Sequence, residues 1–454
     1  MSIESSRFSE KDISQKFSDF CASLFSDLKS GEHARVTLAA EQTQFLRMNR
    51  GAIRQSGHVQ DAQLRVHYMT DTGRSVEWIV PFVFNDKTEL YTFASEMIAR
   101  VREKALGTPP DPYLNLPLQK SSSTESHTGN LLEPEQVGEA ILGQLFPSDD
   151  LVGIYAGGPM ISAMADSAGA RHWFASESFF VDYSLWLESG RAVKASYAGR
   201  SWNQNDFEDS LRAARDNLNF LKNPQRTLRP GSYRAYLAPS ATSELLNMLS
   251  WGAVSEGAIQ RKESPLCALR TGEKNFSTKF SLIENFALGF TPRFSDDGEL
   301  APESIALFDD GRFVQALVSA RTQKEFGVAS NGAGSERLRT PDMGTGQLDQ
   351  ADIFRAIGTG LYLSDLHYLN WSDIIQGRVT GMTRYGCLWV ENGEPVGPIQ
   401  DMRFDESLFH CFGSELSEIT REAHVIPETS TYGRRAFGGA RVPGILLNNF
   451  QFTL

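Results

Sequence analysis

The chain has 454 residues, 41% of them hydrophobic, which is too much for one ordinary core and points to two domains, 1–228 and 229–454. Its formal net charge is −12 and no Lys/Arg run is long enough for a phosphate-binding stripe, so no nucleic-acid partner is expected. No stretch approaches the roughly 20 apolar residues of a membrane helix, Met1 to Phe8 lack a signal-peptide core, and four scattered cysteines, Cys21, Cys267, Cys387 and Cys411, read as reduced thiols of a cytoplasmic protein.

The first predicted element is a helix capped by Ser9, with Asp12 three residues on. Ile13, Phe17, Phe20, Leu24 and Leu28 form its apolar face, and Gly31 is expected to end it in a left-handed turn. Residues 35–84 read as strands, broken at Asn49-Arg50-Gly51 and Thr72-Gly73. Asp86 opens a second helix to about Glu103, with Leu90, Phe93, Met97, Ile98 and Val101 on one face. Gly107 to Pro117 is a proline-rich connection, and polar Gln119 to Asn130 reads as a mobile surface loop with a solvent-exposed His127. A helix follows from Pro134 to about Leu145, then strands near 151–156, 172–180 and 191–197. Asn205 is expected to cap a long helix to about Leu221.

Asn223-Pro224 and Arg229-Pro230-Gly231 mark the domain break. Tyr233 to Leu237 is a strand, and Ser240 or Thr242 is expected to cap a helix-like stretch that includes Leu245 to Gly257. Cys387 to Glu391, Asn392-Gly393 and Glu394 to Ile399 make a hairpin with a type I′ turn, since both central residues tolerate positive φ. The fold class is α+β: an N-terminal α/β layer domain, then a strand-rich domain with a barrel- or sandwich-like mixed sheet.

Several stretches carry a resemblance. Arg261-Lys262 follows the helix-like segment. Gly358-Thr359-Gly360-Leu361, Asn370, Gly377-x-x-Thr380-Gly381, Tyr385-Gly386-Cys387-Leu388-Trp389-Val390-Glu391-Asn392-Gly393-Glu394 and Pro398-Ile399 then come in order. In that order they resemble the TldD/PmbA family, also called modulators of DNA gyrase, over most of the C-terminal half. The metal-bearing TldD type carries His-Glu-x-x-x-His ahead of the Arg-Lys, and a cysteine near the C-terminus. Here Met248, Leu249 and Ala253 fall at the first motif and Phe437 at or near the second, so the chain is most similar to the PmbA/TldE-type subunit that lacks zinc ligands.

The resemblance implies a subunit that binds no cofactor itself and completes a heteromeric peptidase. A TldD-type partner subunit would supply the zinc, and the substrate would be an unfolded or leader peptide, threaded as an extended strand. The alternative function is a self-associating peptide-binding protein without proteolytic activity. The chain's own residues offer little independent chemistry. The closest histidines, His58 and His67, are nine apart, no G-x-S-x-G elbow exists, and the glycine pairs Gly332/Gly334, Gly344/Gly346 and Gly358/Gly360 lack a dinucleotide fingerprint. Cys387 reads as a buried structural thiol, and the neighbours His410 and Cys411 would point to opposite faces of a strand. The candidates for substrate or partner contact are His367, Tyr368, Asn370, Trp371 and Arg384.

Overall fold

The fold was read from a computed structural model that describes residues 9–83, 86–117 and 120–453. The reading of Met1 to Phe8, Phe84 and Gln119 therefore lies outside the described residues.

In the first half, α1 (Glu10–Ser26) is followed by β1 (Glu32–Asn49), β2 (Ala52–Thr70), β3 (Ser75–Pro81) and α2 (Lys87–Ala105). Then come β4 (Ser122–His127), α3 (Val137–Leu142), β5 (Asp150–Asp166), β6 (Arg171–Trp186), β7 (Ala192–Gly199) and α4 (Gln204–Phe220). The strands form one sheet in the order β3-β2-β1-β5-β6-β4, with β7 also on β6. Helices α1 and α2 pack on one face, burying Phe17, Phe20, Leu24, Leu90, Met97, Ile98 and Val101 against Val36, Leu38, Leu64 and Val66. Both expected caps of these helices form. Ser9 Oγ accepts from the Asp12 N–H at 3.2 Å, and Asp86 Oδ1 accepts from the Glu89 N–H at 2.9 Å.

Several boundaries differ from expectation. Helix α1 stops at Ser26, capped by Asp27, and the left-handed Gly31 (φ +78°) turns the chain into β1 instead. The expected loop contains β4, a strand that pairs parallel with β6 from Ser122↔Arg171 to His127↔Ser176. Its Ser/Thr-rich sequence gives no strand alternation of its own, so a neighbouring strand decides it. His127 is half-buried, its ring 5.5 Å from that of Phe174. The cap of α4 is Asn203, whose Oδ1 accepts from Asn205 N.

The second half holds β8 (Gly231–Leu237), α5 (Pro239–Met248), α6 (Glu256–Gln260), α7 (Leu266–Arg270), β9 (Leu282–Asn285), β10 (Ser304–Asp309) and β11 (Arg312–Phe313). It continues with α8 (Ala320–Phe326), β12 (Pro341–Met343), α9 (Ile353–Ile357), β13 (Gly360–Leu363), β14 (Asp365–Asp373) and β15 (Arg378–Arg384). The last strands are β16 (Leu388–Glu391), β17 (Glu394–Pro398), β18 (Arg403–Ser407), β19 (Leu416–Pro427) and β20 (Gly439–Phe452). They build one mixed, open sheet along β11-β10-β9-β12-β20-β8-β13-β16-β17, with β14, β15, β18 and β19 branching from it. The expected hairpin is β16–β17, with Asn392 at φ +55° and Gly393 at φ +84°.

The predicted helical run 245–257 is broken. Trp251 and Gly252 leave helical geometry, Gly252 at φ +88°, and separate α5 from α6. Neither Ser240 nor Thr242 caps α5. Its N-cap is Ala238 and Pro239 opens its first turn, where the missing N–H costs nothing. His410 and Cys411 lie on a short, wide helical turn rather than a strand, the imidazole outward and the thiol buried. Cys387 is buried as expected, and burial pushes its thiol up to about 11.

Candidate functional site

The two halves meet through apolar and charged contacts. Leu388 joins the cluster of Phe207, Leu211 and Tyr183, and Phe294 joins that of Met164 and Phe174. Arg35, 2% exposed, donates to Asp297 at 2.9 Å, and Arg321 to Asp111 at 2.6 Å. Between these contacts lie three adjoining cavities of about 920, 340 and 200 Å³.

The segment 428–438, which connects β19 to β20, reaches across the first sheet and separates the cavities. Two consecutive arginines pin it. Arg434 donates to the Ala39 carbonyl (3.0 Å), Asp61 (2.9 Å) and Gln63 (3.1 Å). Arg435, 6% exposed, donates to the carbonyls of Gly158 (3.1 Å) and Ser178 (3.0 Å) and to Ser178 Oγ (2.9 Å). Burial pulls the Arg435 pKa down to about 10, with Glu41 acting in the opposite sense. Gly158 is required here, because a Cβ would collide with the Gln42 carbonyl oxygen.

The floor of the largest cavity is one face of the first sheet. Strand alternation puts Glu41, Thr43, Phe45 and Arg47 of β1 on that face. Arg47 pairs with Gln55 and Met48 with Ile53, so Arg54 is the extra residue of a bulge and also lines the cavity.

Asp182 of β6 and Lys194 of β7 line both the 920 and the 340 Å³ cavities, with Lys194 Nζ 3.6 Å from Asp182 Oδ1. The second half adds Glu244 from α5 and Asp365 from the start of β14. Burial raises the pKa of Asp182 and of Glu244, although Lys194 opposes both. Burial pushes Asp365 up to about 7; Lys194 opposes this, and Glu244 and Asp182 add repulsion. Burial disfavours the Lys194 ammonium, yet Asp182 and Asp365 outweigh it and raise the lysine pKa. The result is one ammonium facing three converging carboxylates.

Helix α5 presents Ser240, Ser243, Glu244 and Asn247 to the 340 Å³ cavity, the spacing of one helical stripe. Its other side, Leu245, Leu246, Met248 and Leu249, enters the main core with Ala253. Arg339 closes the far wall. Its Nη1 donates to the carbonyls of Pro292 (3.1 Å) and Phe294 (3.3 Å), and its guanidinium lies 4.7 Å from the Phe286 ring centre. Its Nη2 is buried with no partner among the described residues. Burial lowers the Arg339 pKa, with Glu284 opposing; burial raises Glu284 to about 7.

Of the positions singled out in the sequence, Met248, Leu249 and Ala253 sit in the core and do not line a cavity, whereas Phe437 lines the two smaller ones. His367, Tyr368, Asn370 and Trp371 come together on β14, outside these cavities. Tyr368 is 76% exposed with φ +53°, its ring 4.1 Å from that of His367, and Trp371 Nε1 donates to the Trp251 carbonyl at 2.9 Å. Partial burial and Arg384 both lower the His367 pKa. Arg384 is on β15, opposite Asp365, beside a separate cavity of about 280 Å³. The sequence reading missed Asp182, Lys194, Glu244, Asp365 and Arg339. Only the 240/243/244/247 stripe had a local signal, as polar residues at helical spacing.

The three cavities do not suit zinc. Their lining residues include no imidazole and no thiolate, and the clustered carboxylates face an ammonium that repels a cation. Among the described residues no group of three or more His, Cys, Asp or Glu side chains is arranged to hold a metal ion.

Residues 230–454 match the family model described as PmbA/TldA metallopeptidase C-terminal domain. No curated protein matches the chain. Among solved structures, TldE from Thermococcus kodakarensis is similar with a TM-score of 0.76 at 14% identity, covering 97% of this chain and 100% of its own. A putative modulator of DNA gyrase from Thermotoga maritima gives 0.75 at 14% identity, covering 96% and 100%. Another from Bacteroides thetaiotaomicron gives 0.72 at 16% identity, covering 98% and 99%. At such identities the likeness shows the fold, α+β and nearly end to end.

Proposed function

The chain belongs, through its C-terminal half, to the PmbA/TldD family, and from that premise we propose that it is the metal-free subunit of a TldD/TldE-type heteromeric zinc peptidase acting on unfolded or leader peptides. One observation carries the reading: the cavities between the halves have walls without imidazole or thiolate, and the positions matched to the family's ligands hold Met248, Leu249 and Ala253 in the core. Zinc and its general base then come from a partner chain. This subunit supplies walls and strands that take an extended peptide, main-chain hydrogen bonds giving tolerance and pockets giving selectivity. The cytoplasm is the proposed compartment, supported by four cysteines that are all free.

The test mixes the purified chain with a zinc-loaded TldD-type protein. Co-elution in size-exclusion chromatography, together with faster cleavage of an unfolded test peptide than by the partner alone, is the expected outcome. Separate elution with no gain in cleavage overturns the reading, as does stoichiometric zinc in the isolated chain.

A further inference from the structure

The largest cavity, about 920 Å³, gathers positive charge inside an acidic chain. Arg47, Arg54, Lys194, Arg434 and Arg435 line it, and its lining carboxylates are Glu41 and Asp182. Both carboxylates are engaged. Glu41 Oε2 accepts from Thr43 Oγ at 2.7 Å, and Asp182 lies 3.6 Å from Lys194 Nζ. Arg434 and Arg435 direct their nitrogens at main-chain and side-chain oxygens of the first sheet. Arg47 and Arg54 differ: among the described residues neither side chain has a hydrogen bond or ion pair. They stand on neighbouring strands, whose backbones are about 5 Å apart. The bulge turns both Arg54 and Gln55 into the cavity, and so sets a second guanidinium beside the first.

Two residues along β1 from Arg47, at about 7 Å, Phe45 forms an apolar shelf. Its neighbours in register are Gly57 on β2 and Ala156 on β5, so nothing large stands at either side. The ring lies over Gly57, where a Cβ would come within 2.9 Å of it. Val59, 37% exposed, extends the shelf.

We propose that this cavity binds a phosphate monoester that carries an aromatic ring, its phosphate on Arg47 and Arg54 and its ring on Phe45. One guanidinium fork satisfies both oxygens of a carboxylate. Two forks from separate strands match the greater charge and the additional oxygens of a phosphate dianion. Nucleoside monophosphates and aryl phosphates share this chemistry, and the volume, at the upper end of ligand pockets, admits either. The inference goes beyond the subunit reading, since the ligand is not a peptide and neither a partner nor zinc takes part.

Adenosine monophosphate and phenyl phosphate are the probes, titrated calorimetrically into the isolated chain at neutral pH and low salt, beside adenosine and inorganic phosphate. At least one probe is expected to bind saturably with a Kd below about 1 mM, and the one that binds names the source. Adenosine and inorganic phosphate, each lacking one half of the ligand, are expected to bind about tenfold more weakly or worse. The double variant Arg47→Gln, Arg54→Gln is expected to abolish binding; both side chains are exposed, so their loss leaves the core intact. Phe45→Leu keeps an apolar floor without the ring, and is expected to weaken the probe about tenfold. Three results overturn the proposal: no saturable binding of either probe at millimolar concentration, inorganic phosphate binding as tightly as the better probe, or full affinity in the double variant. Because no zinc-bearing chain is present, such a failure leaves the subunit reading untouched, and a failed co-elution leaves this inference standing.

Discussion

Two of the places where charged groups cross between the halves are partnered in opposite ways. In the segment over the first sheet, Arg434 and Arg435 leave no buried nitrogen without a partner, their bonds spread over three carbonyls, a carboxylate, an amide and a hydroxyl. In the 340 Å³ cavity the partners do not balance. Three carboxylates face one lysine, and Arg339 has a nitrogen left over. Saturated buried charge holds a shape, because every group removed leaves another stranded. Unbalanced buried charge destabilises the empty protein and is relieved by a ligand, so it marks a binding site more reliably than charge alone.

The sharpest way to break this contrast is to remove a fully partnered buried arginine's Nη contacts. Arg435→Ala strands the carbonyls of Gly158 and Ser178, and should cost about 4 kcal/mol in denaturant unfolding. A loss below about 1 kcal/mol would mean that the segment does not brace the halves. Met248→His comes next. Met248 is 3% exposed and turned to the core, so an imidazole there should cost about 3 kcal/mol and recruit no zinc by elemental analysis. Zinc uptake by that variant would show that the core side of α5 communicates with the cavity after all.

The cavity should respond with the opposite sign. Burial raises Asp365 to about 7 in the folded chain, well above the ordinary aspartate range, so the folded state holds its proton more tightly than the unfolded state. That contribution to stability is full below about pH 4 and is lost as pH rises through 7. Lys194, Asp182 and Glu244 face the group and shape the same transition. Asp365→Asn escapes the loss, and should gain about 2 kcal/mol on the wild type between pH 5 and pH 8, a figure discounted because the cavity admits water. Thermal melts at the two pH values measure it. A gap that stays constant between them would remove Asp365 from the unbalanced set.

The same contrast explains what the sequence revealed. Helices α1 and α2 were legible because cap and apolar stripe are local, and the β16–β17 hairpin because Asn392-Gly393 fixes its own turn. Strand β4 was not, since only the edge of β6 makes Ser122 to His127 a strand. Gly252 was the one hint that residues 245–257 are not a single helix. The family resemblance was legible in the order of motifs from Arg261-Lys262 to Pro398-Ile399, but the cavity between the halves was not. The β6–β7 ladder brings Asp182 to Lys194, and only the packing of the halves brings Glu244, Asp365 and Arg339 to that pair. Alone, each looks like an ordinary surface charge.

The smallest effect belongs to the candidate patch on β14. Tyr368 holds a left-handed φ of +53° and is 76% exposed, so its ring contributes little buried area to offset the backbone cost. The strand is irregular there, its register with β15 shifting between His367 and Asn370. Tyr368→Gly relieves the conformation but adds freedom to the unfolded chain, and the two nearly cancel. The folded chain should change by no more than about 1 kcal/mol in a thermal melt. Association with a zinc-bearing partner is where a larger effect would appear, because an exposed aromatic held in a costly conformation is useful only to something that packs on it. A Tyr368→Gly chain that assembles as tightly as wild type would reduce this patch to a surface irregularity, leaving the cavity between the halves as the better guide to what the protein binds.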